Sequence, residues 1–369
     1  MKNLRIILII ILVLSSSLIL SGFAKNIDSQ TAHPKIAEIP IKVELLFKLG
    51  SDKENEDFYG PRSFTVDSEG RIYILDSKNS RVQCFSKEGK FLFSFGRYGK
   101  GPGELSQSAK RIKILEDNNI YIIDQFHRII NVYDRNGEYI TSWKISYAYN
   151  DIELIDGKYY LSHCYMQVDN KPIHIFSKSG KMEGSFGTII EPEDGILEKI
   201  SKEKNPRLYQ FFNDASYSRI NRNKNEEIFF SLEIPYRIIK YDTGGRIVKD
   251  VVGNIDYGKG KQKKFKIIYE HNFPFVMANM PLPHIFSPIV KDDDTILVPL
   301  FNKERGYVYI DLFDQNLIFI ERYKIQERLE KEGEGYVQQI HIDKENNLYC
   351  LISSSQTLAQ FVKYKMIFD

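Results

Sequence analysis

The segment Ile72-Tyr73-Ile74-Leu75-Asp76 returns 48 positions later as Ile120-Tyr121-Ile122-Ile123-Asp124. Around each copy the order of features is the same: an alternating apolar stretch, a turn, a second stretch, a third ending in an aromatic residue, then a glycine turn. Self-similarity at such a period constrains a fold more tightly than composition does, because each unit has an apolar face that only a neighbouring unit can cover.

The clearest unit reads Phe64 to Asp67, a turn at Ser68-Glu69-Gly70, Arg71 to Leu75, a turn at Asp76 to Ser80, Arg81 to Phe85, a turn at Ser86 to Gly89, and Lys90 to Gly96. Alternation rich in β-branched and aromatic residues marks strands, and Gly, Asn, Asp and Ser clusters mark hairpin turns. Four strands joined by three hairpins make one propeller blade. A second unit covers Arg111 to Trp143. Looser ones follow at Ile152 to Gly187, Ser218 to Gly245, Pro288 to Asn316 and Gln339 to Met366. Second strands begin near positions 72, 120, 159, 228, 296 and 348, with two insertions between units, residues 188–217 and 251–287.

The last unit has three strands by position 369. Ile41 to Gly50 reads like an outer strand with no blade of its own, and pairing it with the last unit would satisfy an open sheet edge. The expected fold is therefore all-β: a six-bladed β-propeller of four-stranded antiparallel blades, closed by an N-terminal strand that completes the last blade. Residues 25–40 read as a polar linker and 41–369 as the propeller.

Gly70-Arg71-Ile72-Tyr73-Ile74-Leu75-Asp76, followed by Asn79 to Phe85 and Gly89, resembles the NHL repeat, and the glycine-rich Gly96 to Glu104 resembles the link such proteins carry between blades. The chain looks like the six-bladed NHL-type propellers exported by bacteria. The resemblance implies that first strands line a central channel. It also implies that the loops joining second to third strands share one face with those joining blades. It implies no single activity, since such propellers include protein binders, sensor domains and a few lyases.

Lys2 and Arg5, an apolar run from Ile6 to Leu20, and Gly22-Phe23-Ala24 have the order of a secretory signal, with cleavage expected after Ala24. The alternative is an uncleaved segment that tethers the protein to a membrane. No cysteine lies near this exit, so a lipoprotein is not expected. Beyond residue 24 the chain has 49 basic and 49 acidic residues. This balance argues against nucleic acid, which selects a basic footprint. The expected location is secreted or periplasmic, and the expected state is a monomer. The three cysteines, Cys84, Cys164 and Cys350, are too few and too scattered for a disulfide framework and read as buried apolar residues.

The glycines from Gly96 to Gly103 lack the Lys-Ser/Thr and following helix of a phosphate loop, and read as a blade link. Asp292-Asp293-Asp294 lacks the ligand spacing of a calcium loop and reads as a solvated turn. No Gly-x-Ser-x-Gly elbow occurs, and no two of the seven histidines have a local metal-ligand spacing. No cofactor, catalytic residue or metal ligand is assigned. Residues 193–203 could form a short amphipathic helix, and the second insertion reads as long loops rich in aromatics, Met and Pro, the composition of binding surfaces.

The expected function is that of an extracytoplasmic ligand- or protein-binding or scaffold propeller, with its binding face at the channel mouth. A metal-dependent lyase or lactonase working there is the enzymatic alternative. The candidate face comprises Arg62, Arg97, Tyr98, Lys100, His127, Arg128, His163, Tyr209, Phe212, His284, Phe286 and Arg305. Its mixture of bases and aromatics suits an anionic peptide or carbohydrate better than an apolar lipid, and the expected partner is a peptide, protein or carbohydrate.

Overall fold

The computed structural model describes residues 36–50, 57–163, 169, 171–188, 198, 202, 218–232, 236–252, 264–270, 273–279, 284–302, 306–329, 335–354 and 359–368. The segment read as a signal, most of 193–203, and Cys164 lie outside the described residues. The described strands all belong to one compact unit, Ala37–Asp369.

Strand β1 is Glu38–Leu49. Four antiparallel sheets of four strands follow. The first is β2–β5 (Pro61–Val66, Ile72–Asp76, Arg81–Phe85, Phe91–Phe95) and the second β6–β9 (Ala109–Ile114, Ile120–Asp124, Ile129–Tyr133, Tyr139–Lys144). The third is β10–β13 (Asp151–Ile155, Lys158–Ser162, Ile173–Phe176, Met182–Phe186) and the fourth β14–β17 (Ser218–Arg222, Ile228–Leu232, Arg237–Tyr241, Ile247–Val252). The chain is thus an all-β propeller of four-stranded antiparallel blades. A separate hairpin, β18 (Lys264–Glu270) and β19 (Phe273–Asn279), occupies much of the second insertion. The expected long loops are here a ladder running from Lys264↔Asn279 to Glu270↔Phe273. Phe265, Ile267, Phe275 and Val276 are residue types that favour strands, and they outweigh the Pro274 that suggested a loop.

The remaining strands form one nine-stranded sheet: β20–β24 (His284–Ile285, Ile289–Val290, Ile296–Asn302, Tyr307–Phe313, Phe319–Ile325), β1, and β25–β27 (Gly335–Ile342, Asn347–Ser354, Gln360–Ile367). β1 joins its two halves. Glu38 to Ile41 pair parallel with Arg322 to Ile325 of β24, and Lys42 to Leu49 pair antiparallel with Ile367 to Phe361 of β27. The expected pairing of the two chain ends is present. The strand also starts at Glu38, inside the stretch read as linker, because its first residues find a second partner in β24.

Burial follows strand order within a blade. β3, β7, β15 and β22 are buried throughout, whereas β5, β9 and β17 are mostly exposed. Middle strands are covered on both faces by neighbouring blades, so each buried Ile or Leu contributes roughly 1.5–3 kcal/mol. Where blades meet, glycine is required. Gly137, Gly180 and Gly245 have φ of 85°, 77° and 76°, and a Cβ there would lie within 2.7 Å of Phe95, Trp143 and Phe186, aromatics of the preceding outer strand. Gly89 (φ 83°) has the same relation to Phe47 of β1, at 2.8 Å. β1 therefore packs against the first blade as β5 packs against the second. Leu49 joins the cluster of Phe64, Ile74, Tyr349 and Phe361 at that seam.

Candidate functional site

The repeated carboxylate that ends each copy of the opening motif anchors the chain just ahead of an inner strand. Asp76, fully buried, accepts hydrogen bonds from the backbone N–H groups of Tyr59 and Gly60 at 3.1 and 3.0 Å, and from Asn79 Nδ2 at 2.7 Å. Asp124 does the same one blade later, accepting from Ser106 N–H at 2.7 Å, Ser106 Oγ at 2.6 Å and His127 N–H at 3.2 Å. Charge-assisted bonds of this kind hold a loop firmly. The next few residues enter β2 and β6, and both strands carry a bulge at the same place. Pro61 pairs with Asp76 and Ser63 with Leu75, leaving Arg62 unopposed. Ala109 pairs with Asp124 and Arg111 with Ile123, leaving Lys110 unopposed. In β25, Val337 pairs with Ile352 and Gln339 with Leu351, leaving Gln338 unopposed. A bulge bends its strand and re-aims the extra side chain.

All three extra residues line one cavity of about 260 Å³, together with Arg219, His284 and Phe286. Its lining residues come from five sheets: from β2, β6 and β14, from Asn150 ahead of β10, and from β25, β20 and the residue after β20 in the nine-stranded sheet. Lys110 Nζ donates to Asn150 Oδ1 at 2.9 Å, and Arg219 Nη1 donates to the Ser218 carbonyl at 3.1 Å. No acidic side chain is among the described residues that line it.

A second cavity of about 900 Å³ continues along the same inner strands toward His341, Asp343 and Lys87. Arg111 borders both cavities, and its guanidinium reaches Asp151 at 2.8 and 3.4 Å. Burial alone would raise the Asp151 carboxyl, but Arg111, Lys113 and Arg219 outweigh it and hold that group below the usual carboxylate range. Lys113 Nζ, 2.9 Å from Glu153 and 3.8 Å from Asp151, adds to this charge network. Arg111 of this network thus borders both the smaller cavity, whose charged lining is basic, and the larger one, whose lining is of mixed charge.

Of the twelve candidate residues, Arg62, His284 and Phe286 line the smaller cavity. Tyr209, Phe212 and Arg305 lie outside the described residues. The other six line neither cavity. Arg97 Nε pairs with Glu104 Oε1 at 2.8 Å, and Gly101 N–H donates to the same carboxylate at 2.7 Å, so the glycine-rich link curls on Glu104 as a blade connection. Tyr98 (71% exposed), Lys100 and Arg128 stand on the surface. His127 Nδ1 lies 3.1 Å from Asp124 Oδ2, the place Asn79 holds against Asp76. His163 is fully buried. Its Nε2 lies 3.4 Å from His174 Nε2, and His174 Nδ1 is 2.7 Å from Tyr149 Oη. Burial, then the neighbouring His174, push His163 from the ordinary 6.5 down to about 3.

Cys84 and Cys350 are free and buried, and burial raises both thiols. The aspartate triplet is a turn: Asp293 Oδ1 accepts from Thr295 N–H at 3.0 Å, while Lys344 and Lys224 sit 2.9 Å from Asp292 and Asp294. Lys110, Arg219 and Gln338 were missed by sequence reasoning. Lys110 was within reach, since it stands one repeat of 48 residues beyond Arg62. Nothing local marks Arg219 or Gln338.

Residues 64–188 match the family model described as DUF5128, 6-bladed beta-propeller. The resemblance to NHL-type propellers holds. Protein brain tumor of Drosophila melanogaster is 28% identical over 85 residues, 22% of this chain and 8% of that protein. RING finger protein nhl-1 of Caenorhabditis elegans is 45% identical over 49 residues, 13% of this chain and 5% of that protein. The match thus spans less than a tenth of either relative. A solved Bacteroides vulgatus structure, a member of the duf4221 family, aligns with TM-score 0.57 at 10% identity, covering 90% of this chain and all of the other. At that identity the likeness concerns the fold alone.

Proposed function

We propose that this chain is an extracytoplasmic binding propeller of six blades, with its ligand seated over the channel mouth. On this reading the nine-stranded sheet counts as the fifth and sixth blades, and β1 closes the ring. The Gly89–Phe47 contact supports that count, because it repeats the seam between other neighbouring blades. A chain lacking residues 25–50 is expected to lose cooperative unfolding. A truncated protein as stable as the mature one would rule out the closure.

The observation that carries the binding reading is the mouth cavity, into which inner strands of different blades project polar side chains. Concave sites at a convergence of elements, apolar in part with a few placed polar groups, are the usual ligand sites. Export rests on the Lys2 to Ala24 pattern. Mass spectrometry of the protein from its native envelope or medium reads cleavage after Ala24 and, under native conditions, any retained peptide, carbohydrate or smaller ligand. Gln338→Trp fills the mouth without changing its charge and should abolish that retention. Retention undiminished in this variant would move the site elsewhere. Stoichiometric metal in the same sample, with turnover of a lactone or ester, would favour the enzymatic alternative.

A further inference from the structure

We propose that the mouth is an oxyanion site, taking a carboxylate or phosphate group of the ligand on Arg62, Lys110 and Arg219, with Gln338 as a neutral donor. This deepens, and rests on, the reading of the mouth as the binding face. Bulges at equivalent places in β2, β6 and β25 turn Arg62, Lys110 and Gln338 into one cavity, where a regular ladder would have continued the alternation of faces. A bulge gives up local pairing, so three of them around one cavity mark a place where side-chain direction matters more than ladder continuity.

The charges in that cavity are of one sign. Arg62, Lys110 and Arg219 line it, and no carboxylate does so among the described residues. Arg111 is different. Its bidentate bond to buried Asp151 engages its guanidinium, so it is not counted among the groups that take the anion. Lys110 is 8% exposed and bonded through Nζ to Asn150 Oδ1, which holds the ammonium in place. Clefts lined by one sign of charge with low-dielectric walls concentrate counter-ions and favour charge-assisted hydrogen bonds. The cavity volume of about 260 Å³ admits a small acidic group or the end of a longer ligand.

Calorimetric titration of the purified mature chain at low ionic strength, with inorganic phosphate and with succinate as probes, tests the proposal. One site per chain is expected, weakening as salt is added. Loss of one charged hydrogen bond in Arg62→Gln should weaken binding about tenfold. Arg62→Gln/Arg219→Gln should abolish it, and Lys178→Gln, an exposed turn residue of the third blade, should change nothing. Binding of phosphate alone assigns a phosphoester ligand, and binding of succinate alone a carboxylate. If neither binds, or if both variants bind as the parent does, the oxyanion site is refuted. Should the double variant fail to fold, Arg62→Gln, at an exposed side chain, decides the matter by itself. Native ligand lost from Gln338→Trp yet retained by both charge variants would keep the mouth as the binding face while overturning its anion chemistry.

Discussion

The first two blades and the third solve one problem in different ways. Each must hold the end of its second strand against the chain that leads into its inner strand. In the first two, a buried carboxylate does so: Asp76 grips Tyr59 and Gly60, and Asp124 grips Ser106. In the third, the strand ends in Ser162, and the contact is backbone to backbone, Asn150 N–H to the Ser162 carbonyl at 2.8 Å. The next residue, His163, packs with Tyr149 and His174 at ring-centroid distances of 6.0 and 4.8 Å. A carboxylate latch collects several N–H donors at one point and positions the following residues tightly. An aromatic and imidazole cluster fills volume but fixes direction less. The two bulged strands that follow a carboxylate latch both put a cation in the lining of the smaller cavity, whereas the third blade contributes the neutral Asn150.

The largest expected effect comes from removing a latch. Asp124→Ala strands the buried Ser106 N–H and hydroxyl and the part-buried His127 N–H, and should cost about 2–4 kcal/mol in denaturant unfolding. A loss below about 1 kcal/mol would remove the distinction between the blades.

Acid should act on the third blade, as on His341 of β25, which burial lowers to about 4. His163 is lowered to about 3, and His174 is lowered too, first by burial, with Asp169 partly opposing. A group whose folded pKa lies below its unfolded value binds protons more readily when unfolded. Its stability contribution is whole above about 6.5 and is lost as pH falls from there toward 3. The denaturant midpoint should decline across that window. His163→Phe should flatten part of the decline, and an unchanged slope would show that this cluster does not set it.

Ser162→Ala asks whether the side chain at the strand end matters in the third blade as it does in the first two. It removes a 3.2 Å bond from Ser218 Oγ and leaves the backbone contact in place, so a cost of about 1 kcal/mol or less is expected. A cost equal to that of Asp124→Ala would make the two designs equivalent. The smallest effect is that of Lys178→Glu, exposed on a turn of the third blade, which should stay within about 0.5 kcal/mol.

Much of the blade structure was legible because it is local. The run Ile72 to Leu75 followed by Asp76, the turn glycines Gly89 and Gly137, and the alternating strands carry their instructions within a few residues. The turn carboxylates act locally too: Asp134 Oδ1 accepts from the N–H groups two and four residues on, at 2.8 Å each. The orphan strand at Ile41 to Gly50 was legible by subtraction, as an outer strand without a blade. Its parallel pairing with β24 was not, because nothing in Glu38 to Ile41 names Arg322 to Ile325.

The candidate face shows the same divide. Loop residues such as Arg97 and His127 looked free in the sequence because their partners, Glu104 and Asp124, could be read as ordinary surface or turn acids. The sequence by itself determined the repeat, the strands, their turns and the aspartates that pin them, since each depends on neighbours within one blade. Only the tertiary structure decided which residues meet at the smaller cavity. Lys110 and Arg219 stand 109 positions apart, and the bulges at Arg62, Lys110 and Gln338 arise from register between strands rather than from any single strand. Register is a relation between two segments, and convergence on a channel is a relation among several. Neither is written in any one of them.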